Sequence, residues 1–333
     1  MLAIHSEKGS YSDEWIKYCE SNNIDFKIVD CYSTDIIREL KGCSALMWHH
    51  NHGLYKDVLV AKKLIRSLEK SGMKVYPNSD SNWHFDDKVA QKYLLEAVDL
   101  PLVKSYVFYD KNTAMKWVNT TSFPKVFKLK GGASSQNVRL VHNKNECEKI
   151  IKRSFGRGWK QYDAWVNVKE KYRLSKQDGE WKRFLKALVR VFIAPYDAKM
   201  IGNEKGYVYF QDFIPNNTCD FRIQIVGDKA WAMRRMVRKN DFRASGSNML
   251  DYDQTEIPVE MINNTFEVHQ ALNMPTIAVD YVLDSNNAFK IVEICYCFGI
   301  ADDELNHGYW TKDLVYHNKR FNPFGDMIDF VLK

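Results

Sequence analysis

Residues 275–299 have the sequence PTIAVDYVLDSNNAFKIVEICYCFG, and this stretch decides the fold. Thr276 to Leu283 alternates and is rich in β-branched residues, which is typical of a strand. Asp284 to Asn287 has the composition of a turn, and Phe289 to Ile294 is the expected returning strand. The stretch therefore predicts a β-hairpin.

Two acids lie in the middle of this hairpin. Folding the chain about Asn286 places Asp280 almost opposite Glu293, with the Cβ atoms about 5 Å apart on one face. Two carboxylates in that position repel each other, and bare carboxylates are not normally buried on an apolar strand pair. A divalent cation would turn the repulsion into attraction, and Mg²⁺ is commonly held by one or two carboxylates together with substrate phosphates. From the hairpin alone, two acids facing solvent explain the pattern equally well.

The composition is that of an ordinary globular protein. The 333 residues are enough for two or three domains, and the hydrophobic and charged contents are 45% and 27%. The net charge of +6, from 48 basic and 42 acidic residues, is too weak to predict nucleic-acid binding, but it suits anionic ligands. Only residues 156–190 are a candidate for a basic stripe with aromatics, so no nucleic-acid partner is expected.

The sequence predicts a cytoplasmic protein. Met1 to Ser6 enters a strand-like run without the apolar core of a signal peptide. An apolar run of 18 residues is absent, so no membrane span is expected. The seven cysteines show no CxxC pair, which favours free thiols in a reducing compartment.

Residues 1–80 alternate between strand and helix patterns. In chain order, the expected elements are strand 1–6, helix 11–22, strand 26–29, helix 33–41, strand 43–48, helix 56–70 and strand 74–76. This alternation predicts a parallel sheet covered by helices. GxGxxG is absent, so the unit lacks the main signature of a dinucleotide site.

Three histidines, His49, His50 and His52, follow the strand predicted over 43–48. They could bind Zn²⁺, but neighbouring residues on a strand point to opposite faces. A polar loop at the carboxyl end of the strand is the better prediction, because ligands often bind at that edge of an open α/β sheet. We therefore favour a role in binding the acceptor substrate over a metal site.

A glycine-containing loop joins two further strands. The strand over 123–130 precedes the loop Gly131 to Asn137, and the second strand covers 138–141. In one interpretation Lys128 reaches a phosphate while the loop N–H groups cradle it. In the other, this is an amphipathic edge strand with its lysines in water and a plain hairpin turn. GxxxxGK[ST] is absent, so the loop is not a P-loop.

Arginines are concentrated around the next hairpin. Strands are predicted over 207–215, 220–226 and 230–237. The arginines of this region are Arg222, Arg234, Arg235, Arg238 and Arg243. Scattered arginines usually form a solvated face, but several of these lie inside apolar strands. Their forked guanidinium groups suit phosphate and carboxylate ligands.

Five segments together carry a resemblance to a known family. In order they are Lys88, PKVFKLKGGASSQNV (124–138), FQDFI (210–214), DFR with MRRMVRKNDFR (220–243), and AVDYV with VEICYCFG (278–299). This order resembles the ATP-grasp ligases, above all the RimK-type glutamate ligases and glutathione synthetases. The resemblance implies an α/β (α+β) ATP-grasp fold, in which two β-rich subdomains clasp ATP behind a small open α/β domain. The implied domains are 1–80, 81–214 with a helical insertion at about 156–206, and 215–333.

The resemblance also implies a role for each matching residue. Lys88 and Lys128 would contact phosphates under a lid that contains Gly131, Gly132, Ser134 and Ser135. The adenine would be received by Gln211, Asp212, Phe213 and Ile214, and Asp220 would lie near the ribose. Arg222 and Arg243 would act on the transferring phosphoryl group and the acyl phosphate, and Asp280 and Glu293 would hold Mg²⁺. Two Mg²⁺ ions, or Mn²⁺ as a substitute, are compatible with the same carboxylates.

The sequence departs from the family pattern at several positions. The asparagine usual two residues after the metal glutamate is Cys295, and a thiol is a poor ligand for a hard cation. Asp212 replaces the common glutamate, and Lys130 stands where proline is frequent. The insertion has apolar residues at helical spacing, namely Trp181, Phe184, Leu185, Leu188 and Phe192. Its basic residues usually mean a solvated face; an anionic acceptor or a partner chain is the alternative.

The implied reaction is ATP-dependent ligation of a carboxylate to an amine through an acyl phosphate, which yields ADP and phosphate. The expected partners are small-molecule substrates, with an amino acid, a peptide or a sugar acid of a surface polysaccharide as acceptor. The alternatives are a phosphotransferase that stops at phosphorylation and a non-catalytic ATP-binding module. A homodimer is left open, with the aromatic tail Asn306 to Lys333 docking on the core or on a second subunit.

Overall fold

The computed structural model describes residues 1–131, 137–161, 164–193, 195–239, 241–247 and 249–333. Side chains are described throughout these ranges except at 166, 170, 177 and 178. Gly132, Ser134 and Ser135 of the glycine-containing loop lie outside the described residues.

The N-terminal part forms a parallel sheet with strand order β2-β1-β3-β4. Its elements are β1 (Leu2–His5), α1 (Tyr11–Ser21), β2 (Phe26–Val29), α2 (Ile36–Glu39), β3 (Ala45–Met47), α3 (Tyr55–Lys70), β4 (Lys74–Tyr76) and α4 (Ser79–Asn82). The predicted alternation of strand and helix is confirmed. The helix predicted over 33–41 is shorter, and α4 forms where no helix was expected because the Asn78 side chain caps it by accepting from the Ser81 N–H.

The middle part contains an antiparallel sheet of order β5-β10-β6-β7. The elements are α5 (Lys88–Ala97), β5 (Ser105–Phe108), α6 (Lys111–Val118), β6 (Lys125–Lys128), β7 (Arg139–Val141), α7 (Lys144–Ser154), β8 (Trp159–Lys160), α8 (Ala164–Asp178), α9 (Trp181–Phe192), α10 (Tyr196–Ile201), β9 (Asn203–Glu204) and β10 (Val208–Asp212). The Asp87 carboxylate caps α5 by accepting from the N–H groups of Val89 and Ala90. Helices α8, α9 and α10 lie within 156–206, where a helical insertion is predicted, and α9 covers the residues with helical spacing.

The C-terminal part is built on a seven-stranded sheet of order β15-β14-β11-β12-β16-β17, with β13 also paired to β12. The elements are β11 (Cys219–Val226), β12 (Lys229–Met236), β13 (Leu250–Asp251), a 3₁₀ turn (Gln254–Glu256), α11 (Val259–Leu272), β14 (Thr276–Leu283), β15 (Phe289–Cys295), a second 3₁₀ turn (Asp303–Asn306), β16 (Tyr309–Thr311), β17 (Tyr316–His317) and α12 (Pro323–Leu332). Helix α11 covers one face of the sheet with Met261, Ile262 and Phe266. The other face carries Arg222, Asp280 and Glu293, and part of it packs against the N-terminal sheet.

The N-terminal sheet and the C-terminal sheet share one hydrophobic core. Leu2 and Ile4 of β1 belong to the same buried cluster as Trp231, Phe298 and Met327. Burial of apolar area of this kind contributes about 25 cal/mol per Å². This packing holds the loop after β3 beside the segment that follows β15.

The seven cysteines are all free thiols. Over the described ranges, none of the helices combines the length and the apolar character that crossing a bilayer would require.

Candidate active site

A cavity of about 540 Å³ lies between the antiparallel sheet of the middle part and the C-terminal sheet. Twelve residues selected from the sequence line it: Lys88, Lys128, Gln211, Asp212, Phe213, Ile214, Asp220, Arg222, Arg243, Asp280, Glu293 and Cys295. Gly131 is not part of this lining. The fold thus brings together segments that are separated by up to two hundred residues of sequence.

The predicted hairpin is confirmed as β14 and β15. Asp280 pairs directly with Glu293, whereas Tyr281 pairs with Ile291. Val292 is therefore the extra residue of a β-bulge. The turn is centred on Asn286, and without the bulge Asp280 would face Val292. The bulge is what places both acids in the cavity.

Asp280 is held by two arginines. Arg222 donates from Nε to Oδ1 at 2.7 Å and from Nη2 to Oδ2 at 2.9 Å, and Arg235 donates from Nη2 to Oδ2 at 2.7 Å. Arg235 also donates to both carboxylate oxygens of Asp220, at 2.7 and 2.6 Å. Burial alone would raise the pKa of Asp280, but the charges of Arg222 and Arg235 outweigh it and hold the pKa well below its usual range. Asp280 is therefore ionised and fully paired.

Glu293 is paired with a lysine. Its Oε1 lies 3.0 Å from Lys88 Nζ, and Asp86 Oδ1 lies 3.9 Å from the same nitrogen. Burial would lower the pKa of Lys88, but the charges of Glu293 and Asp86 raise it overall. A buried lysine is thereby kept charged where an anionic ligand would arrive.

The fit of Mg²⁺ depends on these carboxylates. Asp280 and Glu293 supply hard oxygen donors, which suit Mg²⁺ when phosphate and water complete the coordination. Among the described residues no group of three His, Cys, Asp or Glu side chains could enclose a metal. Cys295 does not fit: its Sγ donates to the carbonyl oxygen of Cys297 at 3.0 Å, and burial raises the pKa of its thiol to about 12. The two carboxylates fit a cation that is carried in with a phosphate ligand.

The opposite wall of the cavity comes from β6 and β10. Lys128 Nζ donates to Gln211 Oε1 at 2.6 Å, and Lys125 Nζ lies 2.6 Å from Asp212 Oδ1. Lys125 and Lys128 are buried, whereas Lys130 is exposed, so the alternative with lysines in water is wrong for Lys128. Burial lowers the pKa of Lys128 to about 8, because its amide partner offers no compensating charge. Phe213 approaches Phe242 edge-on at 6.0 Å, which gives this end of the cavity an aromatic border.

Gly131 lies at the start of the loop outside the lining. A Cβ at this position would lie 2.9 Å from Gln161 Nε2 and 3.2 Å from Asp86 Oδ2. The absence of a side chain therefore allows the loop to begin close to Asp86. The roles predicted for Gly132, Ser134 and Ser135 concern residues outside the described part of the chain.

The arginines of the β12 region separate into two groups. Arg234 pairs with Asp251 at 2.5 Å and with Glu256 at 2.8 Å, away from the cavity lining. Arg243 lines the cavity, and both its Nε and its Nη2 lie 2.9 Å from carboxylate oxygens of Asp241. Arg243 is thus held at the rim by a neighbour in its own loop.

The three histidines have different environments. His49 stacks on Tyr11 at 3.7 Å, and its Nε2 lies 2.8 Å from Cys297 Sγ. His50 is buried, and burial lowers its pKa to about 3. His52 is the member that lines the cavity. No metal cluster forms from them within the described residues, and the acceptor-binding role stays a prediction.

Among the lining residues that the sequence did not single out as site residues, Arg235 and Asp86 contact predicted ones. Arg235 belongs to the cluster of arginines noted in the sequence. Its partners Asp220 and Asp280 lie on β11 and β14, so only the strand order shows that Arg235, and not Arg234, faces the site. Asp86 directly precedes Asp87, the residue that caps α5. Its closeness to Lys88 was the available signal.

Comparison with protein-family models and with curated proteins gives no match. Solved structures do match. A RimK-domain ATP-grasp protein from Sphaerobacter thermophilus aligns with a TM-score of 0.61 and 13% identity, over 100% of this chain and 99% of that one. D-alanine–D-alanine ligase from Bacillus anthracis, complexed with ATP, aligns with a TM-score of 0.56 and 14% identity, over 91% and 88%. The ATP-grasp ligase PsnB with a minimal precursor gives 0.56 and 12%, over 100% and 98%. The chain has the ATP-grasp fold, as the resemblance predicted.

Proposed function

We propose that this chain, which has the ATP-grasp fold, is an ATP-dependent carboxylate–amine ligase. One observation carries the proposal: the cavity places the facing acids Asp280 and Glu293 beside three cations, the buried Arg235 and Lys88 and the partly buried Arg222. This combination suits a triphosphate with its divalent cation better than it suits a neutral ligand. A non-catalytic module that binds ATP with Mg²⁺ would need the same two acids, and turnover in the trapping experiment distinguishes it from a ligase.

The nucleotide would lie along the wall formed by β6 and β10. Gln211 to Ile214 would receive the adenine, Asp220 the ribose, and Lys128 and Lys88 the phosphates. Asp280 and Glu293 would hold Mg²⁺, which when bound neutralises phosphate charge. Since each acid is already paired with a basic side chain, Arg222 and Lys88 would exchange a carboxylate for phosphate oxygens as the nucleotide binds.

The chain's own residues would then act by positioning and charge. The substrate carboxylate would attack the terminal phosphorus of ATP; a P–O bond to the carboxylate forms, the P–O bond to ADP breaks, and Arg222, Arg235 and Arg243 offset the charge that develops on the transferring oxygens. A neutral amine then attacks the acyl carbon, a C–N bond forms, the C–O bond to phosphate breaks, and the amine releases a proton to water as phosphate leaves. No nucleophilic side chain is required. The acceptor is an amino acid, a peptide or a sugar acid of a surface polysaccharide.

A trapping experiment tests this proposal. The purified chain is incubated with ATP, Mg²⁺, hydroxylamine and a panel of amino acids, peptides and sugar acids. We expect an ATP-dependent hydroxamate with at least one carboxylate, together with ADP and phosphate. ADP without hydroxamate for every member would favour the phosphotransferase, and absence of nucleotide binding would refute both.

The low pKa of Lys128 leads to a prediction about pH. The amine loses its proton near pH 8 in the free protein, whereas a bound phosphate would keep it protonated. Above pH 8, ATP binding therefore requires that Lys128 take up a proton, because the complex carries a proton that the free protein lacks. The affinity for ATP should then fall by up to about tenfold for each pH unit above 8. Titration calorimetry with ATP at pH 7, 8 and 9 measures this. In Lys128→Arg, whose side chain stays charged, the decline should disappear; a wild-type affinity that does not change over this range would contradict the assignment.

A further inference from the structure

A second cavity of about 450 Å³ adjoins the first. Arg222 and Arg235 line both cavities, so the two are connected at the arginines. The far end of the second cavity is lined by Gln224 and Glu304. None of the roles proposed above uses these two residues.

Glu304 and Gln224 are buried polar residues with spare acceptor capacity. Their exposed fractions are 2% and 0%. Glu304 Oε1 accepts from the Ala301 N–H at 2.8 Å, and its Oε2 lies at a long 3.5 Å from Gln224 Nε2. The indole N–H of Trp231 is a further donor near this carboxyl, and it offsets part of the rise in pKa that burial causes. Gln224 Oε1 has no partner in the part of the chain that the structure describes. A buried acceptor without a donor is destabilising, so the pair favours a ligand that supplies N–H groups.

The strand geometry fixes how far this pair lies from the arginines. Arg222 and Gln224 are two residues apart on β11 and both line the second cavity. Such residues project from the same face about 7 Å apart. A ligand the size of an amino acid therefore reaches from the arginines, which suit anionic groups, to the carboxylate oxygen of Glu304 and the unpaired amide oxygen of Gln224.

We propose that Glu304 and Gln224 bind the protonated primary amine of the amine-bearing substrate. This inference rests on the proposed function and names the class of that substrate. An ammonium group has three donors, which match Glu304 Oε2, Gln224 Oε1 and one further acceptor or water. Burial raises the pKa of the Glu304 carboxyl to about 7, and a bound cation would offset the unfavourable burial of its charge.

The alternative is that Glu304 has only a structural role, as the acceptor that fixes the turn at Ala301. In that case its replacement would lower stability but would not change the binding of small cations. Because Glu304→Gln keeps the shape of the side chain and an oxygen for the Ala301 N–H, it separates the two roles. Gln224→Met, which removes the unpaired oxygen at similar volume, is a second variant.

The test uses saturation-transfer NMR with the full chain, ADP and Mg²⁺, and ethylammonium chloride as probe. We expect ethylammonium to bind the wild type, and the Kd to rise at least tenfold in Glu304→Gln and measurably in Gln224→Met. Tetramethylammonium, which has the same charge but no N–H, should bind more weakly than ethylammonium. The matched control is Asp303→Asn, at an exposed acid in the same turn, which should bind as the wild type does.

The outcomes separate this inference from the proposed function. Unchanged ethylammonium binding in a folded Glu304→Gln, or no binding to the wild type, would overturn the inference even if hydroxamate forms. Binding that depends on Glu304, without hydroxamate for any carboxylate, would support the ammonium site while the ligase proposal fails. Equal binding of tetramethylammonium would also overturn it, because N–H donation is the basis of recognition.

Discussion

Glu293→Gln is expected to reduce turnover at least about a thousandfold, which corresponds to about 4 kcal/mol of lost transition-state stabilisation. The substitution removes one of two carboxylates that would hold Mg²⁺ and leaves a neutral amide of the same shape. The fold should tolerate the substitution, because Glu293 is partly exposed and Lys88 retains a second carboxylate partner, Asp86, at 3.9 Å. We expect a loss of stability of about 1 kcal/mol.

Hydroxamate formation and thermal unfolding of the same preparation measure both effects. Glu267→Gln, at an exposed position of α11, is the matched control and should leave both unchanged. Activity within tenfold of the wild type in Glu293→Gln would mean that the metal site lies elsewhere. A collapse of the melting transition would mean that Glu293 is structural.

Asp280→Asn is expected to abolish turnover and also to destabilise the protein by about 3–5 kcal/mol. The carboxylate accepts three charged hydrogen bonds from Arg222 and Arg235. Arg235 retains its ion pair with Asp220 after the substitution, but Arg222 then faces a neutral amide in place of its ionised partner. Although Asp280 and Glu293 occupy equivalent positions in the sequence pattern of the hairpin, substitution of Asp280 should therefore destabilise the protein much more than substitution of Glu293.

Urea unfolding of Asp280→Asn gives this free energy directly. Asp228→Asn, an exposed aspartate in the turn before β12, is the matched control and should change stability by less than about 0.5 kcal/mol. A loss of stability in Asp280→Asn as small as in the control would show that the arginines do not depend on this carboxylate.

Much of the fold could be predicted because its signals are local. The hairpin β14–β15 is marked by alternation on both sides of a polar turn, so its centre at Asn286 follows from the sequence, which brings Asp280 close to Glu293; their direct pairing depends on the bulge. The parallel sheet of residues 1–80 follows from alternating strand and helix patterns. Helix α11 was missed although it covers the largest sheet, since Pro258 and Asn273 that bound it also suit turns.

The charge pairing in the site could not be predicted in the same way. The network of Asp220, Arg235, Asp280 and Arg222 exists because β11 lies between β12 and β14. Strand order is set by packing of the whole sheet and not by local spacing. The bulge at Val292 and the burial of Lys128 are likewise consequences of tertiary contacts, and each changes the chemistry of a residue that the sequence had already identified.

The most direct test of the ligase proposal follows the carboxylate oxygen. A carboxylate that gives a hydroxamate is labelled with ¹⁸O in its carboxyl group and incubated with ATP, Mg²⁺ and its amine. If the carboxylate attacks ATP and an acyl phosphate forms, one labelled oxygen must leave with phosphate, and ³¹P NMR will show ¹⁸O in the inorganic phosphate. Phosphate free of ¹⁸O while amide is formed would contradict the account.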